Sequence, residues 1–335
     1  MNGMNSMNGE NGTNGEQHMN GDSSAARPSL KVRLGSLELD NPIMPASGAF
    51  GAEMERLMDF GRLGAVVPKS ITMLPRGGNS TPRVCETSAG MINSIGIQSK
   101  GLDYYLKHTI PQYAQYNTPL ISSISAESID EFAEMTEVIA REEAVAAIEL
   151  NISCPNLKGN GRAFGMDAEL SYQLVQKARE VTDKPLIAKL TPNVTSVQEI
   201  ALACEKGGAD SLNVANTILA MSIDIHTRRP KIGNVMGGLS GPAVKPIIVR
   251  MIYQVRQVSG LPIIGCGGVM NWEDAIEMML AGASAIQVGT ASFVEPLAML
   301  RILEGVENYL MTYGIKDIQE LVGAVEVPTL QSGLN

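Results

Sequence analysis

The sequence predicts an α/β protein of the (β/α)8 TIM-barrel class with a disordered N-terminal tail. From about Leu30 onward, eight short apolar runs alternate with segments of helical periodicity, which is typical of βα units and a parallel sheet. No GxGxxG follows the first apolar run, so a doubly wound dinucleotide-binding sheet is disfavoured. A closed barrel uses about 250 residues as a single domain, and this chain of 335 residues is long enough for one.

Residues 1–28 differ in composition from the rest of the chain. Met-Asn-Gly is repeated there, and no Leu, Ile, Val, Phe, Tyr or Trp precedes Leu30. A segment without such side chains buries too little to offset the entropy of its own ordering. We therefore expect residues 1–28 to be a disordered, dispensable tail and residues 29–335 to form the barrel, although the repeats leave open a tail that binds a partner.

The predicted strands are short apolar runs bounded by turn residues. They cover 42–47, 64–70, 119–125, 146–153, 185–191, 211–217, 261–268 and 285–290. Amphipathic periodicity between several of them predicts helices. These helices cover 128–141, 168–181, 196–207, 243–258 and 272–281. Asp167 and Asn271 stand where helix N-caps are expected.

Composition and charge argue against several classes of function. A formal net charge of −9 disfavours nucleic acid and anionic membranes as partners. No apolar run reaches the ~18 residues that span a bilayer, and the N-terminus lacks a signal-peptide apolar core, so we expect a cytoplasmic protein. Cys85, Cys154, Cys204 and Cys266 are far apart and show no CxxC or Cys/His metal spacing, which predicts reduced thiols and no metal site.

The carboxyl ends of the predicted strands are polar or rich in glycine, which a packed core would not require. In a barrel these ends form one rim, where the active sites of TIM-barrel enzymes lie. A single polar residue at such an end is usually a turn former or a cap, but eight such ends on one rim indicate a ligand site. The rim residues include Ser47, Lys69, Ser70, Ser123, Asn151, Cys154, Lys189, Asn216, Thr217, Gly267, Gly268, Gly289 and Thr290.

Glycine and lysine at this rim suggest what the ligand carries. A Gly-Gly pair and a Gly-Thr pair follow predicted strands seven and eight, where barrels often bind phosphate through backbone N–H groups and a helix N-terminus. Lys69 and Lys189 end apolar strands, and each could simply extend its ammonium group to water. Two lysines on one rim also suit a site that stabilises developing negative charge.

Cys154 is the candidate acid–base residue. It lies in the hexapeptide 151–156, Asn-Ile-Ser-Cys-Pro-Asn, directly after a buried strand. A buried, inert thiol is the usual alternative, and we assign it to the other three cysteines. For Cys154 the flanking carboxamides of Asn151 and Asn156 argue against it, because they need partners of their own. None of the three histidines lies at a predicted strand end, so a histidine-based mechanism is poorly supported.

Several motifs resemble the class 1B dihydroorotate dehydrogenases, the catalytic subunits of the NAD-linked type. The hexapeptide and residues 157–165 resemble the active-site loop of that family, and the resemblance runs through residues 30–312. This loop resembles class 1B more than the fumarate-using class 1A. A cysteine rather than a serine at the base position separates the chain from the membrane-associated, quinone-linked class 2. Other matching segments are 41–51, 67–72, 91–96, 227–230, 237–243 and 264–269.

The resemblance implies an FMN-dependent enzyme that oxidises (S)-dihydroorotate to orotate in de novo pyrimidine (UMP) biosynthesis. It implies that Cys154 removes the C5 proton, that a hydride passes from C6 to flavin N5, and that Lys189 stabilises the reduced flavin. The implied FMN contacts are Ser47, Lys69, Ser70, Ser123, Asn151, Lys189, Ala215, Gly241, Gly267, Gly268, Gly289 and Thr290. The implied contacts to dihydroorotate or orotate are Lys69, Asn93, Ser94, Ile95, Gly96, Ile97, Asn151, Asn156, Asn216 and Thr217.

Two positions depart from the family pattern. Family members often carry Asn where this chain has Ser123, so a shorter side chain must serve the edge of the flavin or leave it to water. Ala215 is smaller than the isoleucine that is usual there, although it offers the same backbone groups.

The resemblance also implies a partner protein. Class 1B catalytic subunits pass electrons to a subunit that carries FAD and a 2Fe–2S cluster and reduces NAD+, in a heterotetramer built on a catalytic dimer. Such a cluster needs four thiolate ligands close together, which this chain lacks. The alternatives are a fumarate-linked class 1A enzyme, a dihydropyrimidine dehydrogenase-like flavoenzyme and, from a different class, a non-redox barrel that binds a phosphorylated metabolite.

Overall fold

The computed structural model describes residues 27–153 and 163–328. Its strands are β1 Val32–Leu34, β2 Leu37–Leu39, β3 Ile43–Pro45, β4 Val84–Thr87, β5 Gly90–Asn93, β6 Leu120–Ile124, β7 Val145–Asn151, β8 Leu186–Lys189, β9 Ser211–Val214, β10 Ile218–Met221, β11 Ile223–Asp224, β12 Arg229–Pro230, β13 Met236–Ser240, β14 Ile263–Cys266 and β15 Ala285–Val288. Its α-helices are α1 Leu102–Tyr104, α2 Ile110–Tyr113, α3 Ile129–Ala140, α4 Ala168–Arg179, α5 Val197–Lys206, α6 Lys245–Arg256, α7 Trp272–Ala281, α8 Ala291–Val294 and α9 Ala298–Tyr313.

Short helical turns complete the secondary structure. A π-helical turn, Tyr105–Thr109, joins α1 to α2. Single 3-10 turns cover Ala52–Arg56, Phe60–Arg62, Phe164–Met166, Pro242–Val244 and Ile318–Leu321. No helix in the described part of the chain is both long and apolar enough to cross a membrane.

A curled sheet of seven parallel strands forms the centre of the molecule, in the order β3-β15-β14-β9-β8-β7-β6. Residues 64–71 lie between its two edges. On one side, the N–H groups of Gly64 and Ser70 donate to carbonyls in and after β3, at 2.9 and 3.0 Å. On the other side, Val66 and Ile71 form parallel bridges to β6. The sheet therefore closes into a barrel, which confirms the predicted fold class.

The second predicted strand, 64–70, is not a regular strand, and this expectation was wrong in detail. The segment pairs with β6 only at the bridges of Val66 and Ile71. Pro68 lies between those two bridges and cannot donate a hydrogen bond to a ladder. The segment therefore fills the eighth position of the barrel as irregular extended chain.

The five predicted amphipathic helices are confirmed as α3 to α7, each within two residues of the expected ends. The side chain of Asp167 accepts a hydrogen bond from the N–H of Leu170, which confirms it as the N-cap of α4. Asn271 caps α7 and forms a capping box with Asp274. These caps satisfy N–H groups that have no partner within the helix, so the helix starts could be predicted from local sequence.

A second, four-stranded antiparallel sheet was not predicted. Its strand order is β10-β13-β5-β4, and it joins chain segments that leave the barrel at widely separated points. Its strands are mostly only partly buried, so they lack the continuous apolar pattern of the barrel strands. This sheet supplies residues to the cavity described next, and we call it the rim sheet.

Candidate active site

A cavity of about 1050 Å³ lies at the carboxyl ends of the barrel strands, bounded on one side by the rim sheet. Small-molecule sites usually occupy about 300–1,000 Å³, so this cavity has room for a cofactor with a substrate beside it. Ten of the residues that the sequence placed at the site line the cavity, and their roles stay predictions. They are Lys69, Asn93, Ile95, Lys189, Asn216, Thr217, Gly267, Gly268, Gly289 and Thr290.

Two predicted residues lie outside the described part of the chain. These are Cys154, the candidate base, and Asn156, a proposed substrate contact. The last described residues before them are the end of β7 and Ile152-Ser153. Most of the predicted tail, residues 1–26, also lies outside the described residues.

Lys189 is the central cation of the cavity. It is the last residue of β8, it is 4% exposed, and its side chain lines the cavity. Its Nζ donates to Oε1 of Gln287 at 2.9 Å and to Oγ of Ser47 at 3.3 Å. A lysine ammonium group has three donors, and these two bonds use two of them.

A fully buried carboxylate, Glu149 of β7, lies behind Lys189, with Oε1 3.7 Å from Nζ. It accepts hydrogen bonds from three side chains on other strands of the barrel. The donors are Ser123 at 2.9 Å, Asn213 at 2.8 Å and Gln287 at 2.7 Å. A buried charge is stable only when it is paired and hydrogen-bonded, and Glu149 meets both conditions.

The charge states of this pair follow from their surroundings. Burial acts to raise the pKa of Glu149, but Lys189 and the hydrogen bonds that it accepts outweigh burial and keep this pKa below its usual value. Burial acts to lower the pKa of Lys189, but attraction to Cys266 and Glu149 holds it above its usual value. Because burial raises the pKa of the Cys266 thiol, Glu149 is the partner that carries negative charge at neutral pH.

Three predicted cofactor contacts are serines joined to this pair. Ser47 accepts from Lys189, as described above, and Ser123 donates to Glu149. The hydroxyl of Ser70 is 2.9 Å from that of Ser123. All three serines are buried. Ser123 stands where members of the family named above often have Asn, and here its hydroxyl contacts Glu149.

Carboxamides form a second polar group at the rim. Asn216 lines the cavity, and its Nδ2 donates to Oδ1 of Asn151 at 3.1 Å. Asn151 in turn donates to Oγ of Ser125 at 3.3 Å. The N–H of Thr217 donates to Oδ1 of Asn216 at 2.8 Å. These bonds fix which end of each carboxamide donates and which accepts.

Residues 93–97, predicted to hold the substrate, lead out of the rim sheet as irregular chain. Asn93 ends β5, and its Nδ2 donates to the carbonyl of Gly238 at 3.3 Å. Asn79 supports this segment, with Nδ2 donating to the carbonyl of Ser94 at 3.0 Å. Gly96 and Ile97 have positive φ angles of 73° and 49°. A Cβ on Gly96 would meet Asn79 at 2.5 Å, so glycine is needed there.

The glycine pair after β14 is required by packing as well as by backbone conformation. Gly267 and Gly268 have φ angles of 129° and 86°. A Cβ on Gly268 would lie 2.7 Å from the backbone nitrogen of Lys245, the first residue of α6. The pair therefore brings the start of α6 against the cavity wall. Gly289 differs, because a Cβ there would meet only one atom, at 3.5 Å.

The remaining predicted cofactor contacts are close to the cavity. Ala215 is buried, follows a cis peptide bond, and donates its N–H to the carbonyl of Cys266 at 2.9 Å. Gly241, with a φ of 98°, lies between two residues that line the cavity. Thr290 donates to Oγ of Ser240 at 2.8 Å and so ties the end of the barrel to the rim sheet.

The other cysteines differ from one another in their surroundings. Cys204 is fully buried in α5, and burial raises its pKa to about 12, which agrees with the inert role expected for it. Cys85 lies partly buried in β4. Cys266 ends β14 and lines the cavity. It therefore lies at the candidate site, whereas the sequence suggested a buried, inert thiol.

Sequence reasoning missed three polar residues of this site. Glu149, Asn213 and Gln287 are all fully buried, and each has apolar residues on both sides within its strand. Charged and amide side chains are rarely fully buried unless they are paired. A lone polar residue inside a buried strand was therefore a signal that could have identified them.

Comparison with known proteins agrees with this geometry. The family model for dihydroorotate dehydrogenase matches residues 29–310. Three similar proteins are each called dihydroorotate dehydrogenase B (NAD(+)), catalytic subunit. They come from Bacteroides thetaiotaomicron (45% identical over 300 residues, 89% of this chain and 99% of the relative), Geotalea uraniireducens (46% over 301 residues, 89% and 99%) and Trichlorobacter lovleyi (47% over 302 residues, 90% and 99%).

The matched region holds every strand of the barrel and every described residue that lines the cavity. With a family match over most of the chain and relatives covered almost end to end, the chain belongs to the dihydroorotate dehydrogenase family.

Proposed function

We propose that this chain is the catalytic subunit of an NAD-linked dihydroorotate dehydrogenase, which oxidises (S)-dihydroorotate to orotate in de novo pyrimidine biosynthesis. The observation that carries the proposal is the 44–47% identity to catalytic subunits of that name, over 99% or more of their length. The polar, lysine-containing cavity at the barrel rim lies where an enzyme of this fold has its active site.

We propose FMN as the cofactor, since the dihydroorotate dehydrogenase family is flavin-dependent. When bound, FMN would supply a two-electron acceptor. The residues present suit it in two ways. The backbone at Gly267 and Gly268, next to the start of α6, offers a place for the phosphate group. Lys189 offers a buried ammonium group for the electron-rich edge of the ring.

The substrate is proposed to lie among the rim carboxamides. Orotate presents imide and carboxylate edges that need both donors and acceptors, and a carboxamide supplies both. Asn93 and Asn216 line the cavity, and Asn151 is hydrogen-bonded to Asn216. The hydroxyl of Ser94 is buried without a hydrogen-bond partner among the described residues. Lys69, which lines the same cavity, is the proposed cation for the carboxylate.

The base is proposed to be the Cys154 thiolate, which would take the proton from C5 of dihydroorotate. Support comes from the sequence and from the place where β7 ends. Asn151, the last residue of β7, accepts a hydrogen bond from a cavity residue, so the chain reaches the rim three residues before Cys154. A proton acceptor at that rim suits the reaction, since a thiol deprotonates more readily when positive charge lies nearby.

The partner is proposed to be a subunit that carries FAD and a 2Fe–2S cluster, in a heterotetramer with two catalytic chains. The relatives share the name catalytic subunit, which implies a second subunit in those enzymes. Within residues 27–153 and 163–328, no group of three or more His, Cys, Asp or Glu side chains is placed to hold a metal ion. An electron relay through iron and sulfur would therefore be supplied by the partner.

A visible absorption spectrum tests this proposal. The purified chain should be yellow, and anaerobic dihydroorotate should bleach the flavin band, whereas dihydrouracil at the same concentration should not. Bleaching by dihydrouracil alone would favour a dihydropyrimidine dehydrogenase-like enzyme. A colourless protein that takes up no added FMN would contradict the proposal and favour a non-redox barrel.

A further inference from the structure

The carboxylate of Glu149 is the least expected group in the barrel. It is 0% exposed and does not line the cavity, so it does not touch a ligand there. Removing such a charge from water is costly, and a packed apolar side chain would avoid that cost. Any effect of Glu149 on a ligand must therefore act through the residues that it contacts.

Gln287 connects Glu149 to Lys189 in one orientation. Its Nε2 donates to Oε2 of Glu149 at 2.7 Å, which turns its Oε1 toward Lys189 at 2.9 Å. Asn213 reinforces this arrangement by donating to both Glu149 and Gln287 at 2.8 Å. Since an amide has one donor end and one acceptor end, the carboxylate decides which end of Gln287 faces Lys189.

We propose that Glu149 is a positioning residue that acts through Lys189. Its charge keeps Lys189 a protonated ammonium group, and its hold on Gln287 directs that group at the cavity. A fixed positive charge then stands beside the bound flavin at every working pH. The flavin part of this inference rests on the proposed function, whereas the charge relation between Glu149 and Lys189 does not.

No other described group near Lys189 supplies the negative charge that Glu149 provides. The titratable groups that face it from the described elements are Glu149 of β7 and Cys266 of β14, and Lys69 of segment 64–71 lines the same cavity. The Cys266 thiol is neutral at neutral pH because burial raises its pKa, and Lys69 is a cation. Without Glu149, burial would dominate, and burial alone can lower a lysine pKa by about 3–5 units.

The decisive variant is Glu149→Gln, which keeps the shape and removes the charge. In the flavin-loaded protein we expect the midpoint potential to depend more steeply on pH than in the wild type, between about pH 6 and 9. The added slope should correspond to one further proton per two electrons. The reason is that Lys189, neutral in the oxidised variant, would take up a proton as negative charge develops beside it. A dye-linked redox titration measures this without dihydroorotate.

A flavin-free measurement separates this inference from the proposed function. In the folded variant the pKa of Lys189 should lie below its unfolded value, so the unfolded state binds one more proton and stability rises with pH. The free energy of unfolding of the apoprotein should therefore climb with pH between about 6 and 9 in Glu149→Gln, more steeply than in the wild type. This result stands even if the bound cofactor is not FMN.

Two matched variants distinguish charge from packing. Gln287→Met breaks the hydrogen-bonded link but keeps the carboxylate, and it should retain the wild-type slopes. The double variant Glu149→Gln/Gln287→Glu returns one carboxylate to within contact of Lys189 and should restore them. Wild-type slopes in Glu149→Gln, or equal steepening in Gln287→Met, would overturn the inference. If Glu149→Gln does not fold, the double variant provides the test, and slopes steeper than those of the wild type in that variant would overturn the inference.

Discussion

At the scale of single residues, the barrel places an ion pair where TIM barrels usually pack branched apolar side chains. Glu149 and Lys189 are 0% and 4% exposed, and Gln287 and Asn213 complete a polar layer around them. Buried ion pairs are weak evidence for stability, because desolvation cancels much of their attraction. This layer therefore reflects the chemistry of the cavity above it more than the needs of folding.

Cys154→Ala should keep the flavin bound and nearly abolish dihydroorotate oxidation. Losing a general base typically lowers the rate by about 10²–10⁴-fold, and no flavin contact is assigned to this side chain. The measurement is anaerobic reduction of the bound flavin by dihydroorotate, followed by its absorbance. Near-normal reduction at neutral pH would rule out the role.

Gly268→Ala should lower the free energy of unfolding by at least about 1–2 kcal/mol, the cost of a left-handed backbone for an L-residue. Its φ is 86°, and the new Cβ would stand 2.7 Å from the backbone of Lys245. Urea unfolding measures the change. The matched control is Gly260→Ala, where a Cβ would meet nothing within 4 Å, and its effect should stay within about 1 kcal/mol. Equal effects in both variants would contradict the packing argument.

At the scale of elements, the boundary between tail and barrel can be tested by two deletions. Removing residues 1–28 should leave the flavin content and the melting temperature almost unchanged, because the segment contains no Leu, Ile, Val or aromatic residue that could be buried. The ion pair that it would remove joins the exposed side chain of Arg27 to the partly buried side chain of Glu307, at 3.9 Å. Exposed pairs contribute about 0–1 kcal/mol.

The longer deletion, residues 1–34, serves as the contrast. It also removes β1, whose Val32 and Leu34 are 1% and 0% exposed. Burial of each such side chain contributes about 1.5–3 kcal/mol, so the melting temperature should fall by several degrees. A large fall after the shorter deletion would show that residues 1–28 pack on the barrel.

At the scale of the whole molecule, electron exit should require a second protein. The isolated chain should reduce its flavin with dihydroorotate and pass electrons to artificial dyes, but it should reduce NAD+ poorly or not at all. No GxGxxG follows a strand in the sequence, and its cysteines are too far apart for a cluster. Steady-state rates with dye, NAD+ and fumarate measure this.

Co-expression with an iron–sulfur flavoprotein subunit should restore NAD+ reduction and give a larger particle by size exclusion. NAD+ reduction by the isolated chain at the rate seen with dye would contradict the partner proposal. A preference for fumarate would replace it with a class 1A assignment.

The alternation of strands and helices, the five amphipathic helices with their caps and the polar rim could be predicted from the amino-acid sequence. These features depend on periodicity and on residues close together in the chain, and parallel strands bring their carboxyl ends to one rim without further information. The pairing of the buried polar groups could not be predicted in this way, because it depends on the tertiary structure. Glu149 and Gln287 are 138 residues apart in sequence yet share a hydrogen bond. Such pairing follows from closure of the barrel, which no local pattern records.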